Sequence, residues 1–142
     1  MKRAMIAAMI ASTLMAGLAA ANPPAKAPSS GTSNSGRTME APYLAVPVTR
    51  EGRLVNYLFV SVRFEIAPSV DLWRTRERAQ FLRDALVRAA HANQLASAED
   101  NNVLDEARAL GVFRAAATQV LGAQAVGGVS IISSYSSLGA PG

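Results

Sequence analysis

The strongest constraint on the fold is the run Leu54 to Ile66, where apolar and polar side chains alternate. Leu54, Leu58, Val60, Val62, Phe64 and Ile66 fall on one face, broken only by Asn56, while Ser61, Arg63 and Glu65 fall on the other. Period two belongs to a strand, because successive side chains point to opposite sides of the chain. The run therefore predicts a long strand with one buried face. Val55, Tyr57 and Phe59 make its first half apolar on both faces, which predicts a cover there.

The flanking segments arrange themselves around that strand. Tyr43 to Val48 reads as a shorter strand, with Pro47 marking an edge or a bulge. Thr49 to Arg53 is a polar, glycine-containing hairpin connection. After Ala67-Pro68, Ser69 or Asp71 can cap a helix running to about Ala92, with Leu72, Leu82, Leu86 and Ala90 on one arc. Asp71 with Arg74, and Asp84 with Arg88, stand at helical pairing distance. A polar loop from Asn93 to about Asn102 leads to a second helix, from near Asp105 to Leu121. Asp105 and Glu106 suit the positive end of its dipole, and Gly122 suits its C-cap. A last strand covers about Ala125 to Tyr135. The expected class is α+β: a small sheet in β-β-α-α-β order with two helices packed on one face.

The ends read differently. Met1-Lys2-Arg3 is basic, Ala4 to Leu18 is apolar, and Ala19-Ala20-Ala21 fits a small-residue cleavage site, so residues 1–21 read as a secretory signal peptide. The run is too diluted by Ala, Gly17, Ser12 and Thr13 for the strongly apolar stretch of about 20 residues that spans a bilayer. Residues 22–42 are rich in Pro, Ser, Gly and Ala and read as a flexible linker. That leaves a domain over residues 43–136 and a disordered tail over 137–142. The expected location is periplasmic, with no stable membrane anchor after cleavage.

Charge and residue types narrow the function. Without Lys2 and Arg3, 12 of the 14 basic residues face 10 acidic ones, a balance that argues against a nucleic-acid partner. There is no cysteine, so disulfides and thiolate metal sites are excluded. His91 is the only histidine and has no second His or Cys to join it in a metal site or triad. The acidic stretch from Glu99 to Glu106 lacks the ligand spacing and mid-loop glycine of an EF-hand. Gly127-Gly128 has no strand-to-helix context for a phosphate loop and reads as a bulge or a close backbone approach. Trp73 reads as core packing at the sheet edge before interface anchor. Ser133, Ser134, Ser136 and Ser137 lack the setting of a nucleophile elbow. No catalytic, cofactor or metal residue is assigned, and the chain is read as a non-enzyme. Arg74, Arg78 and Arg88, which project together from one helix, and Glu99 with Asp100 are the candidate interface residues.

Several runs carry a resemblance. Tyr43-Leu44-Ala45-Val46-Pro47-Val48, Asn56 to Ile66, Phe81-Leu82-Arg83-Asp84-Ala85-Leu86, Leu104 with Ala107 to Val120, and Val126 to Ile132 resemble the periplasmic C-terminal domain of the flagellar basal-body-associated FliL family. The likeness covers residues 43–135. It implies an SPFH (stomatin-like) module without enzymatic activity that self-associates into rings around the flagellar stator. The chain departs from that family in having a short cleavable signal where a transmembrane helix is usual. The expected function is protein–protein interaction in the periplasm, with itself or with stator or envelope-complex components. The alternative is a small-ligand or lipid-binding module unrelated to motility.

Overall fold

The computed structural model describes residues 36–139. The expected signal peptide lies outside the described residues, as do most of the linker and the end of the tail.

The element order is β1 (Thr38–Arg50), β2 (Arg53–Ile66), α1 (Leu72–Glu77), α2 (Ala79–Ala92), α3 (Glu106–Leu121) and β3 (Val126–Ser136). The strands form one antiparallel sheet in the order β1-β2-β3, so the long patterned strand is central. The expected β-β-α-α-β order with two helices is therefore wrong: the described residues form three helices, in the order β-β-α-α-α-β. The single helix expected from residue 71 to 92 is interrupted at Arg78, whose φ of −87° and ψ of 6° leave the helical region. Thr75 explains the break. Its hydroxyl donates to the Asp71 carbonyl at 2.7 Å, and such back-bonding competes with the helix ladder. Arg78 N–H then turns to Thr75 O in a tighter turn.

β1 begins at Thr38 rather than Tyr43, because the chain passes an irregularity instead of starting after it. Ala41 pairs with Val62 and Leu44 with Val60, so Pro42 and Tyr43 together face Ser61. Tyr43 takes φ 52° there, and its N–H donates to Ser61 Oγ at 3.2 Å. The hairpin turns through Glu51 and Gly52, both at positive φ.

The core lies between one sheet face and α2 and α3. Leu44, Val46 and Val48 of β1 and Leu58, Val60, Val62 and Phe64 of β2 are fully buried against Leu82, Leu86, Ala90, Ala109, Phe113 and Ala117. Leu54, expected on that face, is half-exposed, because a register shift between Val48 and Thr49 makes Val55 an extra residue and sets Leu54 opposite Thr49, off the core face. Asp71 caps α1 and Asp105 caps α3, each accepting a main-chain N–H at 3.1 Å, and Gly122 ends α3 at φ 94°.

Two features of the packing carry no sequence period. The loop after α2 is not simply polar: Leu95, Ala96 and Leu104 are buried in the core, and Ala96 bridges Leu104. Asn56 ties that loop down. Its amide donates to Asn101 O and to Ser136 Oγ, each at 2.9 Å, while its carbonyl oxygen accepts from Tyr57 N–H and Ser137 Oγ at 2.7 Å. Arginines supply the second feature. Arg37 donates to Ile66, Ala67 and Val70 carbonyls, Arg50 to Ser97, Arg76 to Gly36, Arg78 to Val120, Arg83 to Pro42 and Arg108 to Gln94. Each is a side-chain clamp on the main chain of another segment.

Candidate functional site

Among the described residues no helix lies over one face of the sheet, and the composition of that face changes along its length. Strand alternation puts Ala45 and Pro47 of β1, Val55, Tyr57 and Phe59 of β2, and Tyr135 of β3 on this outer side. Register joins them into rungs: Pro47 opposes Tyr57, and Phe59 lies between Ala45 and Tyr135. Val55 and Phe59 are both more than a third exposed, and Tyr135 is 60% exposed. Ile132, the extra residue in a bulge opposite Ser61 and Val62, adds a further exposed apolar side chain. The cover expected over Val55, Tyr57 and Phe59 is absent among the described residues.

The other half of the same face is polar. Ser61 opposes Ser133, and Arg63 lies between Glu40 and Ser130. Arg63 pairs with Glu40 at 2.7 Å in a half-exposed ion pair, which contributes at most about 1 kcal/mol. Beyond it Glu65 opposes Gly128, and its carboxylate lies so close that a Cβ on Gly128 would stand 2.9 Å from Glu65 Oε2. Gly127 is the extra residue of a bulge between Glu65 and Ile66. The glycine pair thus serves both as a bulge and as room for a neighbouring side chain. An aromatic end and an ion-paired end share one surface, which suits contact with a partner of mixed character better than with hydrocarbon alone.

The residues singled out by sequence are dispersed. Arg74 and Arg78 line one open cleft of about 360 Å³ with Val70, Asp71, Thr75 and Leu121. Arg88 lines another, between α2 and α3, and pairs with Asp84 at 2.6 Å. The turn at Arg78 shifts the phase of the helix, so Arg88 does not join Arg74 and Arg78 as an unbroken helix would have it. Among the described residues neither Glu99 nor Asp100 is within ion-pair distance of an arginine; Asp100 Oδ1 instead accepts Asn102 N–H at 2.7 Å. His91 is exposed in the last turn of α2.

Trp73 is 74% exposed, not packed at the sheet edge, and its ring lies 5.7 Å from the Arg76 guanidinium. A third cleft, about 220 Å³, lies between β1 and α2 beside Met39, Ala41 and Leu82. Among the described residues no three His, Asp or Glu side chains are grouped to hold a metal ion. The outer-face row was missed as a site because its apolar residues were assigned a cover. Their alternation with the core face was the available signal. No protein-family model matches the chain, and no curated protein or solved structure is similar to it.

Proposed function

We propose that the chain is an exported protein-interaction module, non-enzymatic and similar in role to the periplasmic domain of FliL-family proteins, binding itself or an envelope-complex partner through the outer sheet face. The observation that carries this reading is the row of Ala45, Pro47, Val55, Tyr57, Phe59 and Tyr135, over which no described residue lies as a cover. Aromatic side chains are enriched in protein interfaces, where they bury a large area at little entropic cost. Location outside the cytoplasm rests on residues 1–21, and a flagellar setting rests on the sequence resemblance alone. The ligand-binding alternative has less support, since the apolar cleft of about 220 Å³ is below the roughly 300–1,000 Å³ usual for small-molecule sites, and the cleft of about 360 Å³ is open and lined by Asp71, Arg74 and Arg78 instead of mostly apolar side chains.

The test is site-specific photo-cross-linking in cells that export the full chain. A photoreactive residue at Phe59 should yield protein adducts, and one at Gln119 on α3 should not. Equal yields at both sites, or none at Phe59, would defeat the reading.

A further inference from the structure

Among the described residues the sheet has two free edges, and they are built differently. At the β1 edge the chain carries Pro42 and Pro47, bulges at Pro42-Tyr43, and has its Gly36, Pro42 and Thr49 carbonyls taken by Arg76, Arg83 and Gln94. Prolines, bulges and capped carbonyls are how proteins prevent a further strand from adding to an edge. β3 has none of the first and last of these. Its sequence, Val-Gly-Gly-Val-Ser-Ile-Ile-Ser-Ser-Tyr-Ser, contains no charge and no proline over 11 residues. Among the described residues no side chain hydrogen-bonds its main chain.

The main-chain groups on that edge have a defined direction. Ser137 N–H donates to Tyr57 O, so alternation along an antiparallel ladder turns the N–H and C=O of Ser134 away from β2. β3 is also incompletely covered on both sides: Val129 and Ile131 are half-buried against the core, and Ile132 and Tyr135 are exposed on the outer face.

We infer that β3 pairs antiparallel with β3 of a second copy about a two-fold axis, joining two three-stranded sheets into one of six. This deepens the interaction reading and rests on it, but specifies a closed dimer rather than a ring. Three features select a second copy as the occupant. An uncharged strand sets no like charges opposite each other when it pairs with itself. Two-fold antiparallel pairing matches each donor with the equivalent acceptor, so the interface is self-complementary. An axis between Ile131 and Ile132, at the middle of the strand, also sets Gly128 of one copy across from Tyr135 of the other and Val129 across from Ser134, pairs that share a face and a main-chain direction on either side of the bulge. The ring then lies over a residue without a side chain, a pairing that stabilises strand glycines.

The chain lacks cysteine, so single-cysteine variants of the full protein report the pairing directly. Under mild oxidation Ile131→Cys, or a variant at Ser130 or Ile132 next to it, should form a disulfide-linked dimer, because only residues near the axis meet their own copies. Thr49→Cys on β1 should stay monomeric. Sedimentation of the cysteine-free protein should show a monomer–dimer equilibrium, and Ser134→Lys, at an exposed position, should raise its dissociation constant by about tenfold or more. The urea midpoint of Ser134→Lys checks that the monomer is intact. A monomer at all concentrations, equal cross-linking at Thr49 and Ile131, or an unchanged constant for Ser134→Lys would overturn the pairing. Protein adducts at Phe59 from a chain that remains monomeric would overturn this inference while leaving the interaction reading in place.

Discussion

Asn56→Leu separates what the strand's pattern predicts from what its contacts predict. By pattern alone, leucine completes the apolar row of β2, and burying it would add about 1.5–3 kcal/mol of stability. The contacts reverse the sign. Asn56 is 3% exposed, and its amide holds Asn101 O, Tyr57 N–H and the Ser136 and Ser137 hydroxyls. The hydroxyls can rotate, and Ser136 Oγ already donates to Asn102 Oδ1. The Asn101 carbonyl and the Tyr57 N–H lose their principal partner, at about 1–3 kcal/mol each. Loosening the loop also uncovers Leu95 and Leu104, which Asn56 holds in place through Asn101. The net expectation is a loss of about 2 kcal/mol. With a urea slope of about 1–3 kcal/mol per molar, the unfolding midpoint falls by roughly 1 M. Equilibrium urea unfolding followed by circular dichroism measures it. A variant as stable as the parent, or more so, would refute the reasoning, because the hydrogen bonds would then be worth less than one buried side chain.

Other expectations follow from the same contacts. Phe64→Ala should lose about 3–5 kcal/mol in urea unfolding, whereas Arg63→Ala should lose no more than about 1 kcal/mol, its partner Glu40 being solvent-accessible. Asp105→Ala removes the acceptor for Arg108 N–H and should lower stability by about 1 kcal/mol. Gly122→Ala forces a side chain to φ 94° and should lose more than about 1 kcal/mol by thermal unfolding, whereas Gly128→Ala should lose less, because the Glu65 carboxylate can swing aside. Mass spectrometry of exported protein should find a mature N-terminus at Asn22 or within a residue or two.

How far the sequence revealed the fold depended on whether an element is specified locally. β2 was readable from Val60 to Ile66 because its burial follows the two-residue period of its own chain. The core residues of α3, from Ala109 to Ala117, follow the 3.6-residue period in the same way. The break at Arg78 was not readable, since it comes from a hydroxyl–carbonyl bond at Thr75 that leaves the apolar spacing on either side intact. Leu95 and Leu104 were hidden in a polar loop because their burial depends on Asn56, about 40 residues away. At the candidate site the apolar residues were visible but their exposure was not. A strand apolar on both faces has the same sequence whether or not anything lies over its second side. The tie made by Arg78 was hidden for a related reason: a guanidinium directed at a main-chain carbonyl, here that of Val120, has no side-chain partner to give it away.

The arginine clamps make the tolerance of the chain to substitution one-sided. The acceptors at Gly36, Pro42, Ile66, Ala67, Gln94, Ser97 and Val120 are peptide carbonyls, which every amino acid possesses. Those sites can drift in side-chain identity without losing the bond, so long as the backbone path is kept. The donors cannot drift in the same way: lysine lacks the planar fork that lets Arg37 reach three carbonyls at once. Variation should therefore be scarce at Arg37, Arg50, Arg76, Arg78, Arg83 and Arg108 and free at the positions they hold. Because a carbonyl carries no net charge to be screened, these ties weaken less with salt than exposed ion pairs do. A chain without cysteine is held by cross-links that depend little on salt.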